Sequence, residues 1–97
     1  MLDEMAIIPW YPDELSYEQF RQTAIDRELF FETYETWRQA ALEHERQAEQ
    51  WGVVVLRSRV DYGLFESWLN RFQRVNDQHA RSDFAKFRAQ QNLGDRS

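Results

Sequence analysis

Two histidines and the carboxylates around them are the residues of this chain best suited to chemistry. Glu43, His44, Glu45 and Glu49 fall in one stretch, and Asp77, His79 and Asp83 in another. Imidazoles and carboxylates on helices are the ligand set of zinc and di-iron enzymes, so the spacing decides. His44 precedes Glu45, but position 48 is Ala, so the H-E-x-x-H zinc pattern fails. Neither histidine stands three residues after a Glu, so the E-x-x-H di-iron pattern fails too. His79 and Asp83 share a helical face and make one pair, not a site. Cysteine is absent, which removes thiolate ligands and disulfides. With three glycines in the whole chain, a glycine-rich phosphate loop of the usual form is not available. A serine nucleophile would need a base and an orienting group, and no local pattern suggests that arrangement. The residues therefore point away from catalysis: no enzyme, no cofactor and no metal are expected.

The elements that carry these residues form one domain. Its 97 residues can bury roughly two-thirds of the surface the unfolded chain exposes. A 42% hydrophobic content with 15% aromatics is too apolar for a disordered chain, even at 30% charged. The start, MLDEMAIIPWYPDE, lacks a basic leader and a long apolar run, and no stretch approaches the ~20 apolar residues of a membrane span. A cytoplasmic protein without membrane contact is the expectation. Charge is uneven: residues 1–50 carry net −8 and residues 51–97 net +3, for −5 in all. Such asymmetry can steer a partner or draw two copies together.

Local patterns predict a mainly α fold of the α+β class, with about four helices and one short strand near residues 53–60. Ser16 with Gln19 forms a capping-box pattern, and Leu15 can staple onto Phe20, so a first helix is expected over 16–28 with Tyr17, Phe20 and Ala24 inward. Phe30, Tyr34, Trp37, Ala41, His44, Ala48 and Trp51 recur at spacings of three and four, the seam of a second helix expected from Glu32 or Thr33 to Trp51, with Gly52 as its C′ residue. His44 on that seam reads as a packed core histidine, and as a pH-sensitive group should the seam meet another helix. Asp61 caps a third helix over 62–75 with Leu64, Phe65, Trp68, Leu69, Phe72 and Val75 as its stripe. A fourth, over 77–91, turns Ala80, Phe84 and Phe87 inward. Residues 1–4 and 92–97 are expected to fray.

The segment WGVVVLRSRV is the one clear strand. Alternation sorts Val54, Leu56 and Val60 onto one face, expected to be buried, and Val53, Val55, Arg57 and Arg59 onto the other. Its partner is either Met5–Ile8, a stub ended by Pro9, or the same strand of a second copy. A ribbon with one stubby member is marginal, which favours a twofold antiparallel pairing between chains. Centring that pairing on Leu56 sets Val55 against Arg57 and Val53 against Arg59, whereas centring on Ser58 would oppose Arg57 and Arg59.

The basic second half offers Arg57, Arg59, Arg71, Arg74, Arg81, Lys86 and Arg88, and helices meeting at VNDQ suggest a helix-turn-helix reader of nucleic acid. Against it stand the acidic total, a turn without glycine, and Asp77 and Asp83 at the start of the recognition helix.

FFETYETW, a valine-rich strand ending in RVDYGLFESWL, and ARSDFAKFRA together resemble small bacterial and mobile-element proteins of unknown function. These share an E-T-Y-E-x-W helix start and a strand-D-x-x-x-F-x-x-W helix. The resemblance spans about residues 30–89, with Phe31 where a proline is common. It implies an α-rich fold with one strand and transfers no catalytic residue. The expectation is a non-enzymatic homodimeric interaction module, an adaptor or regulator acting as accessory or inhibitor of a mobile element. Val53, Val55, Arg57 and Arg59 are the expected contact residues, with Trp51 and His44 flanking. The second expectation is a nucleic-acid-binding regulator using the seven cations above.

Overall fold

The strand of residues 53–60 finds its partner inside the chain. In the computed structural model, which describes residues 4–94 and the side chains of residues 5–91, β1 (Glu4–Trp10) and β2 (Val53–Arg59) form a parallel two-stranded sheet. The register is continuous, from Glu4 opposite Val53 to Trp10 opposite Arg59. Of the two partners expected for this strand, the N-terminal segment is the one observed, longer than the stub of residues 5–8. It runs through Pro9 instead of ending there. Val60 donates its N–H to the Trp10 carbonyl at 3.1 Å. Backbone groups alternate sides along a strand, so Ser58, Leu56 and Val54 also turn their main chain to β1, and Pro9 falls on the outward-facing side of its own strand. Proline is tolerated there because no ladder bond needs its missing N–H.

Parallel strands need a long crossover, supplied by α1 (Glu14–Thr23), a 3-10 turn (Arg27–Leu29) and α2 (Tyr34–Gln50). After β2 come α3 (Tyr62–Phe72) and α4 (Gln78–Gly94). Arg57 reaches Glu45 of α2 while its neighbour Ser58 donates to the Ala85 carbonyl of α4 at 2.7 Å. Adjacent residues of a strand point to opposite faces, so α2 and α4 cover opposite sides of the sheet.

All four helix starts use a side-chain cap, that of α4 being Asp77, which accepts from Ala80 N–H at 2.8 Å. Thr33 and Asp61 accept from the N–H groups of Thr36 and Leu64, as their residue types predict. α1 starts earlier than expected: Asp13 accepts from Ser16 N–H at 2.8 Å, so Ser16 is inside the helix and Leu15 is exposed. α1 also stops at Thr23, because Asn76 from a distant loop takes over its end. Asn76 Nδ2 donates to the Phe20 carbonyl and Thr23 Oγ1, and the Asn76 carbonyl accepts from Ile25 N–H. Gly52 follows α2 at φ 80°, the left-handed conformation expected of a C′ glycine. α3 ends at Phe72 and not Val75, since Gln73 adopts the left-handed conformation. α4 runs on to Gly94; the fraying expected at residues 1–3 and 95–97 lies outside the described residues.

Tyr11, Tyr17, Phe20, Val60, Phe65, Leu69, Ala80, Phe84 and Ala85 form the core. Rings meet in tilted and edge-on pairs, such as Phe20–Phe65 at 4.8 Å and Tyr11–Phe20 at 5.0 Å, an arrangement that adds to the gain from burial alone. Truncating Phe20, Phe65 or Phe84 to Ala would cost about 3–5 kcal/mol each. Tyr17 and Tyr34 satisfy their hydroxyls on the carbonyls of Phe31 and Tyr11.

One network ties the two halves together. Arg81 is 6% exposed and grips Asp26 with two bonds of 2.8 and 2.9 Å, donates to Asn76 Oδ1, and lies over the Phe30 ring. Asp26 also accepts from Gln78 N–H, so a residue of the crossover caps α4.

Candidate functional site

In parallel sheets the crevice beyond the carboxyl ends of the strands is the common place for a ligand. Here that end is closed. Tyr11 and Val60, which follow the two strands, are 4% and 2% exposed and are packed over by Tyr17 and Phe20. Among the described residues no three His, Asp or Glu side chains gather where they could hold a metal ion, and no helix is long and apolar enough to cross a membrane.

The features that stand out are surfaces. Because β2 turns Val54, Leu56 and Ser58 inward to β1, its other residues, Val53, Val55, Arg57 and Arg59, direct their N–H and C=O groups outward. Among the described residues no main-chain bond reaches that outer edge. The side chains along it are apolar and accessible: Trp51 is 85% exposed, Val54 53% and Leu56 36%. Val54 and Leu56, expected in the core, are thus corrected to the surface, and the buried positions of that face are Ser58 and Val60. The outer edge of β1 differs, since Pro9 interrupts its donors.

The six residues expected at an interface divide between places. Trp51, Val53 and Val55 lie on the open edge, with Glu49 and Gly52 beside the valines. Arg57 points to the α2 face, where it makes a two-pronged ion pair with Glu45 at 2.6 and 2.7 Å and stacks 4.0 Å from the Trp10 ring centre. Arg59 is exposed on the same face. His44 is not with them. It is exposed rather than packed, and lines a cleft over β1 with Ile8, Pro9, Trp37, Ala40 and Ala41. The residue of α2 that turns fully inward is its neighbour Glu45, which the apolar seam left out. Arg57 beneath it supplies the counter-charge, and its donated hydrogen bonds hold the Glu45 carboxyl below its ordinary pKa.

The seven cations proposed for nucleic acid do not make one basic surface. Arg81 is buried on Asp26 and is corrected to a core residue. Arg57 is engaged by Glu45, Arg74 by Asp83 at 2.8 Å, and Arg88 donates to Gln91. Among the described residues Arg59, Arg71 and Lys86 meet no carboxylate within ion-pair distance, and they belong to β2, α3 and α4 respectively.

No protein-family model matches this chain, and no curated protein or solved structure matches it.

Proposed function

We propose that this protein is a non-enzymatic interaction module that pairs with a second copy of itself through the outer edge of β2. The observation that carries this reading is the pairing capacity of that edge. Four consecutive outward-facing residues, from Val53 to Arg59, offer main-chain donors and acceptors beside exposed Trp51, Val54 and Leu56. Open, apolar strand edges are templates for adding another strand, and monomeric proteins usually blunt them with charge, proline or a covering element. Pro9 does so for β1; among the described residues β2 has no such device at Val53–Leu56.

A twofold antiparallel pairing centred on Leu56 agrees with the direction of these groups. It brings the outward-facing Val55 opposite Arg57, and Val53 opposite Arg59, as hydrogen-bonded pairs, with Leu56 facing Leu56 as the closer non-bonded pair. Four strands then run β1-β2-β2-β1 across two chains. The resemblance to mobile-element proteins supplies the setting in which such a module would act, as an accessory or inhibitor protein.

The mass in solution of the wild type and of Val55→Pro tests the reading. Val55 N–H faces away from β1, so proline there removes an outward donor and leaves the internal ladder whole. A dimer that becomes a monomer with an unchanged circular dichroism spectrum is the expected result. A monomeric wild type, or a dimer indifferent to Val55→Pro and to Trp51→Ser, would refute it.

A further inference from the structure

The apolar stripe of α3 is wider than its neighbours can cover. Phe65 and Leu69 are buried, but Leu64 is 48% exposed and Phe72 52%, and Phe87 of α4 is 38% exposed. These side chains are not scattered. Leu64, Trp68 and Phe72 on α3 and Phe84 and Phe87 on α4 line one cleft of about 250 Å³. Its floor is continuous, with Trp68 at 5.6 Å from both Phe72 and Phe84 and Phe84 at 6.4 Å from Phe87.

Each wall carries a cation. Arg71 of α3 and Arg88 of α4 both line the cleft, and among the described residues neither meets a carboxylate, whereas Arg74 nearby is matched by Asp83. Among the described residues the Nε of Arg88 is buried without a hydrogen-bond partner. An apolar floor between two arginines, on a molecule of net charge −5, is a local reversal of sign. It complements a ligand that is apolar on one face and acidic on its flanks.

We infer that the α3–α4 cleft is a docking groove for an acidic amphipathic helix of a partner protein. A strand cannot be the occupant, because both walls are helices whose main-chain groups are bonded internally. Leu64, Trp68 and Phe72 recur every fourth residue over about 12 Å, or two helical turns, which suits large apolar anchors at i, i+4 and i+7 on the incoming helix. Carboxylates beside those anchors would meet Arg71 and Arg88. The guanidinium groups select acidic over basic helices, and the aromatic floor supplies the affinity. Nucleic acid fits less well, since two unmatched cations beside a leucine-phenylalanine floor do not form a phosphate track. This groove uses none of the β2 edge residues, so a monomer would bind as well as a dimer.

The test uses two pools of labelled, helix-stabilised 14-residue peptides with Leu, Phe or Trp at i, i+4 and i+7. One pool has Glu and Asp at the flanking positions, the other Lys. Binding to the full chain is read by fluorescence anisotropy, with a labelled oligothymidine in a parallel arm. The acidic pool should bind roughly fivefold or more tightly than the lysine pool at low salt, and Arg71→Glu with Arg88→Glu should reverse that preference while the circular dichroism spectrum stays the same. Equal binding of both pools, binding of neither, a preference that survives the charge reversal, or tighter binding of the oligonucleotide would each overturn the inference. So would loss of self-association in the charge-reversed protein, because the groove's occupant would then be a second copy.

Discussion

Replacing Asp26 by Ala should be among the most damaging single changes that leave the aromatic core intact. The side chain of Arg81 is 7% exposed, and Asp26 is the only carboxylate that its guanidinium meets among the described residues. Removing one partner of a buried ion pair leaves the other charge uncompensated, at about 3–5 kcal/mol. Asn76 Oδ1 and the Phe30 ring remain as partial consolation for the charge, while Gln78 N–H at the start of α4 loses its acceptor. Domains of this size hold about 5–15 kcal/mol in total. At about 4–8 °C per kcal/mol, the melting midpoint should fall on the order of 15–30 °C. Paired thermal melts of Asp26→Ala and of Asp26→Leu combined with Arg81→Met read the effect, because a packed apolar pair of similar volume removes the stranded charge and should recover most of the loss. A single variant that loses under about 1 kcal/mol, or a double variant as unstable as the single, would refute the reasoning that Arg81 is a charge held in the interior by Asp26.

Other outcomes follow from the same geometry. Gly52→Ala should cost about 1 kcal/mol in urea denaturation although nothing lies within 4 Å of the added methyl, since the cost is the left-handed backbone at φ 80° and not a clash. Acid should destabilise the fold through two carboxyls. Hydrogen bonds from Arg81 and Arg57 hold Asp26 and Glu45 below their ordinary pKa values, so the stability they contribute is complete above the unfolded-state values near pH 4 and is lost as the pH falls through the lower, folded-state values. Unfolding midpoints in urea should therefore be flat from about pH 7 to 5 and drop steeply below about pH 4, and Glu45→Gln should make the acid limb shallower.

How much of this could be read from the chain depended on whether the determinant was local. Thr33, Gly52 and Asp61 act within three residues of themselves, and the helices they delimit follow their types. Tyr17, Phe20, Phe65, Ala80 and Phe84 lie on periodic faces and are buried as those faces predict. The end of α1 is different: Asn76, more than fifty positions away, satisfies it, and no local stop signal exists. The parallel ladder joins Glu4 to Val53 across the whole crossover, so a strand that looked solitary has a partner of equal length. Pro9 read as a terminator because the side it faces is set by the pairing, not by its neighbours. Glu45 was hidden for a related reason. His44 continues the apolar rhythm, yet the inward position one residue on is taken by a carboxylate because Arg57 of β2 waits beneath it. The edge itself was legible in its composition, valines flanked by Trp51 and arginines, but its exposed face depended on how far α4 reaches over β2. Ser58 and Val60 fall under cover, and Val54 and Leu56 do not.

Amide hydrogen exchange at β2, followed over a dilution series, tests the central claim most directly. Leu56 and Ser58 direct their N–H groups to β1, and Val55 and Arg57 direct theirs outward. Pairing between copies predicts that all four amides are protected at high protein concentration, and that dilution releases Val55 and Arg57 while Leu56 and Ser58 stay protected. Rapid exchange of Val55 and Arg57 at every concentration would contradict it.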